Sequence, residues 1–112
     1  MMRKAEVYLH EKKTGILTEI KKNRKYRFEY LAEYNGPPVS VTIPTIRSAW
    51  DFEEFPPFFE GLLPEGANLE VLLRTEKIDR EDLYSILMAV GNDTVGAVTV
   101  KEAGDEEMSD LL

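Results

Sequence analysis

The chain has 112 residues, with 14 Lys/Arg against 21 Asp/Glu and a formal net charge of −7. That length holds one domain with a modest core. With no cysteine there is no disulfide scaffold or thiolate metal site, and no apolar run approaches membrane-spanning length; 43% apolar and 31% charged residues describe a globule, not a disordered chain.

The first forty-odd residues alternate. Ala5, Val7 and Leu9 are separated by Glu6 and Tyr8. Tyr26, Phe28 and Tyr30 alternate with Lys25, Arg27 and Glu29, and Val39, Val41 and Ile43 alternate with Ser40 and Thr42. Period two with one apolar face predicts strands half-buried in an antiparallel sheet. Ile16–Ile20 completes a set of four with weaker alternation. Turns are expected at Lys12–Gly15, Lys21–Arg24 and Asn35–Pro38.

After Pro44 the pattern changes. Thr45–Phe55 shows no clear period and reads as a loop carrying the only tryptophan, Trp50. Pro56-Pro57 suits the first turn of a short helix that Gly61 weakens and Pro64 ends. Leu69, Leu72 and Leu73 mark a second, amphipathic helix. A third is expected with Asp79 as its cap, a buried stripe of Leu83, Ile86, Leu87 and Val90, and Gly91 as its C-terminal stop. Val95–Val100 reads as a strand returning to the sheet. The predicted fold is α+β: an antiparallel sheet of about five strands with three short helices. One folded unit spans about 4–101, followed by an acidic tail at 102–112.

Charge is unevenly placed. Residues 1–27 hold nine Lys/Arg and three Glu, while the remainder carries −13. This is either a solvated surface with basic hairpin turns or a broad acidic face that repels nucleic acid and steers toward a basic partner. Little else in the chain points to chemistry. Gly91-Asn92-Asp93-Thr94-Val95-Gly96 spaces two glycines like a phosphate loop, but Ala97-Val98 stand where Lys and Ser/Thr are needed. The single histidine, His10, has no second histidine to complete a metal shell and is expected in solvent near a hairpin turn. Glu53-Glu54 and Glu106-Glu107 lie in polar stretches unlike catalytic carboxylate pairs. The basic, aromatic run Lys21–Arg27 is short for a nucleic-acid site in an acidic protein. Met1–Glu6 does not read as a signal peptide, so a cytoplasmic protein without membrane contact is expected. Trp50, in a polar loop, is either a lid on the core or an anchor for a partner.

Three phrases resemble the N-terminal subdomain of the HipA family of bacterial toxin kinases: Pro38–Pro44; Phe58, Phe59, Leu62, Leu63 and Pro64; and Gly91, Asp93, Val95, Gly96, Ala97 and Val98. The likeness runs from Lys4 to about Val100. It implies a stand-alone domain like the HipS component of three-part HipBST-type toxin–antitoxin systems. Such a component is expected to dock on a separate HipT-like Ser/Thr kinase and restrain it, beside a HipB-like helix-turn-helix repressor. The alternative is a structural subunit that completes the kinase or repressor complex without inhibiting. The family's catalytic residues belong to the kinase body, so no enzyme activity, cofactor or direct nucleic-acid contact is implied. A loop reaching the kinase cleft is expected to come from Trp50, Asp51, Phe52, Glu53 and Phe55, or from Glu65, Gly66, Ala67 and Asn68.

Overall fold

A computed structural model describes residues 2–94 and 96–103. Its strands are β1 (Arg3–Leu9), β2 (Lys12–Lys21), β3 (Lys25–Tyr30), β4 (Ala49–Phe52) and β5 (Val98–Glu102). They form one antiparallel sheet in the order β4-β3-β2-β1-β5. The helices are α1 (Pro57–Glu60), α2 (Gly66–Glu76) and α3 (Leu83–Val90), with a 3₁₀ turn at Gly91–Asp93. Five strands and three short helices match the expected class. The acidic tail, apart from its first two residues, lies outside the described residues. Those two are Glu102, which ends β5, and Ala103, whose N–H bonds the Lys4 carbonyl.

Alternation places the core. The cross-strand row Ala5–Leu17–Phe28–Trp50 and the row Val100–Val7–Gly15–Tyr30 share one face. Phe59 of α1 and Tyr84 and Leu87 of α3 pack into the same cluster as these rows. The other face carries Lys101, Glu6, Ile16 and Glu29 in one row and Lys4, Thr18, Arg27 and Asp51 in the next. Glu6 is buried there, accepting from Tyr8 Oη at 2.8 Å and Lys13 Nζ at 2.9 Å.

Several expectations are corrected. Val39–Ile43 is not a strand. Ile43 N–H bonds the Ser40 carbonyl, and Ser40 Oγ accepts from Thr42 N–H, so the chain turns there. Val39 and Ile43 go inside, held by the Tyr30 hydroxyl, while Val41 is 91% exposed. Ser and Thr side chains that bond nearby backbone favour turns over ladders. The fourth strand is instead β4, inside the segment read as a loop. Its signal was the brief alternation of Trp50 and Phe52 about Asp51.

The first hairpin turns at His10-Glu11, both left-handed at φ 51° and 68°, and not at Lys12–Gly15, which belong to β2. Two left-handed residues make the mirror-image turn whose twist suits a two-residue hairpin. His10 is exposed there, as expected. The cap of α3 is Asp82, not Asp79: its carboxylate accepts Ser85 N–H at 3.2 Å. The buried stripe of α3 is Tyr84, Ile86 and Leu87, with Leu83 and Val90 only half-buried. Gly91 does not stop α3 in a left-handed cap; at φ −59° it continues into the 3₁₀ turn. Glycine is needed there because a Cβ would lie 2.4 Å from the Val100 carbonyl. The last strand runs over Val98–Glu102 instead of Val95–Val100; Val95 itself is outside the described residues.

Candidate functional site

The nine residues expected at a partner surface fall on two elements. Trp50, Asp51, Phe52, Glu53 and Phe55 belong to edge strand β4 and its exit, whereas Glu65, Gly66, Ala67 and Asn68 open α2. Glu65 and Gly66 line one cleft and Asn68 another, and neither cleft includes a β4 residue.

Trp50 stands opposite Phe28 on the core side of the sheet and is half-buried. Its indole N–H donates to the Pro44 carbonyl at 3.0 Å, and the Arg47 guanidinium lies 4.2 Å over its ring. The ring is therefore a lid folded onto the core. Phe52 is half-buried beside Tyr26, and Phe55, 5% exposed, meets the Tyr26 ring edge-on at 5.2 Å. Asp51 and Glu53 are the members of this group that face solvent. The hydrogen bond from Arg27 to Asp51, 2.7 Å long, holds the Asp51 carboxyl below its ordinary value.

At the other element, Glu65 is the extended residue before α2, and its side chain makes no capping bond. Gly66 follows at φ 60°, a conformation that favours glycine. Ala67 and Asn68 are exposed. Pro64 stands between two clefts, one of about 240 Å³ toward Leu69, Leu83 and Ile86, and one of about 470 Å³ toward Asn68, Val90 and Asp93.

Sequence reasoning missed two features. One is the exposed apolar pair Val41 and Ile46, at 91% and 83%. The other is a polar hub under α3. Arg3 Nε donates to Glu19 Oε1 at 2.6 Å, while its terminal nitrogens donate to Ser85 Oγ at 2.8 Å and Asp82 Oδ1 at 3.0 Å. Glu19 Oε2 accepts from Asn23 N–H and the Tyr26 hydroxyl. Arg3 also lies 4.5 Å over the Tyr84 ring. Burial works against the Arg3 charge, but the bonds to Glu19 and Asp82 outweigh it and raise its pKa. Burial likewise pushes the Asp82 carboxyl up, and its bonds from Ser85 and Arg3 prevail and leave it lowered. The only sequence signal for this hub was a glutamate among the inward positions of β2.

Among the described residues no cluster of three or more His, Asp or Glu is placed to hold a metal ion. Gly91–Asp93 forms the 3₁₀ turn, and the next described element is strand β5, not a helix. Among the described residues no helix is long and apolar enough to cross a membrane.

A family model described as the HipA N-terminal domain matches residues 5–101. A protein of Haemophilus influenzae, described only as uncharacterized, is 29% identical over 102 residues, covering 91% of this chain and 94% of the relative. A solved structure titled the N-terminal domain of HipA toxin superposes with a TM-score of 0.69 at 25% identity, covering 89% of this chain and 92% of that one.

Proposed function

The chain belongs to the HipA N-terminal domain family, and on that premise we propose that it is an antitoxin-like subunit that binds and restrains a separate HipA-like Ser/Thr kinase. The observation that carries this reading is that the family domain accounts for residues 5–101. The chain performs no phosphotransfer itself and works in the cytoplasm of a bacterium. Its partners are a HipT-like kinase and, in the same complex, a HipB-like repressor that makes the DNA contacts. A net charge of −7 supports the last point, since an acidic chain gains little from neutralising phosphates.

Restraint comes from residues that hinder closure of, or access to, the kinase cleft. Because Trp50 already covers the core, its role is to hold β4 in place beneath Asp51 and Glu53. The Glu65–Asn68 stretch at the start of α2 is the more accessible element. The test is co-expression with a HipA-like kinase from the same cell, scoring co-purification and growth. Co-elution with rescued growth is expected. Co-elution without rescue would favour a structural subunit that completes the kinase, and absence of a complex would end the reading.

A further inference from the structure

Helix α2 is amphipathic yet buries none of its side chains. Leu69, Leu72 and Leu73 are half-buried and Val71 is 52% exposed, whereas α1 and α3 each commit side chains to the core. Beside α2 lies the cleft of about 240 Å³, walled by Leu63, Leu69, Leu83 and Ile86. Glu60 and Glu65 stand at its lining and are exposed, and neither enters an ion pair among the described residues. The one cation of the lining, Arg80, is bonded to Glu70 at 2.6 Å. Across the Leu63–Pro64 ridge the second cleft is lined by Asp93 and by no cation. The floor is apolar and the rim is negative.

We propose that this cleft is the socket for an apolar side chain carried next to a Lys or Arg on the kinase partner. The inference rests on the kinase reading above and names the surface that reading uses. The cleft falls below the roughly 300–1,000 Å³ of pockets that enclose drug-sized ligands, and suits one large side chain. A single anchor in a desolvated pocket carries a large share of a protein interface's affinity. The carboxylates of Glu60 and Glu65, which form no ion pair among the described residues, favour a neighbouring cation and repel an acidic segment.

The experiment measures affinity of the full chain for the co-expressed HipA-like kinase by titration calorimetry. The test variant is Glu60→Lys with Glu65→Lys, both at exposed positions, with folding checked by circular dichroism. The control is Glu29→Lys with Glu33→Lys, which changes net charge equally at exposed residues elsewhere. The expected result is weakening by about tenfold or more for the test pair and by no more than about threefold for the control. Equal weakening by both pairs, or none by the test pair while the wild type binds, overturns the socket and leaves the kinase reading standing. A wild-type chain that binds no such kinase removes that reading and the socket with it.

Discussion

Glu19 is 3% exposed, and its two oxygens are taken by Arg3, the Asn23 N–H and the Tyr26 hydroxyl. Removing one partner of a buried ion pair leaves the other charge stranded, which costs about 3 kcal/mol. Arg3→Met, which strands the buried Glu19 carboxylate, is therefore expected to lower unfolding free energy by about that much, and Glu19→Leu by somewhat less because Arg3 is partly exposed and keeps its bond to Asp82. Combining them should restore much of the loss in a urea double-mutant cycle. Asp82 adds a pH signature. Its carboxyl is held below the ordinary value of 3.8, so its contribution is fully present above that value and is lost as pH falls through the lowered one. Asp82→Asn is expected to be less stable at neutral pH and to show a shallower fall in urea midpoint below about pH 4. Identical acid limbs would show that Asp82 is not held this way.

The elements are joined at close approaches that substitution can probe. A Cβ at Gly91 would press on the Val100 carbonyl, so Gly91→Ala should destabilise by about 1–3 kcal/mol as the α3–β5 junction is overpacked. Trp50→Ala should cost about 2 kcal/mol, because it strips a half-buried ring and its bond to Pro44 from the sheet edge. A loss under about 0.5 kcal/mol in thermal or urea unfolding would mean the ring does not cover the core. The alternation of β1 and β3 and the turn at Pro56–Pro57 made those elements legible in the sequence, because each is decided by its own residues. β4 was missed since four residues give too short a period. Val39–Ile43 imitated a strand because local Ser and Thr bonds, invisible to periodicity, turned the chain. The break at Pro64–Glu65 was readable in the sequence, whereas Gly66, Ala67 and Asn68, expected in a loop, already belong to α2. The cleft beside that helix was not readable, because its walls come from three segments brought together only by packing. The Arg3 hub spans β1, β2 and α3 and was hidden for the same reason.

At the scale of the molecule, the sheet order β4-β3-β2-β1-β5 separates a face of mixed charge from a helical side. Exposed cations gather at the β2–β3 turn, at Lys21, Lys22 and Arg24, while the cleft beside α2 is rimmed by acid. Such a distribution is expected to steer that surface toward a basic partner, so association with the proposed kinase should slow as salt rises. The proposed restraint of a kinase by this chain can be read by titrating the purified chain into a HipA-like kinase from the same cell and following phosphate transfer from ATP. Phosphate transfer is expected to fall with added chain and to level off once the kinase is saturated. A transfer rate unchanged at saturating chain would contradict the proposed restraint.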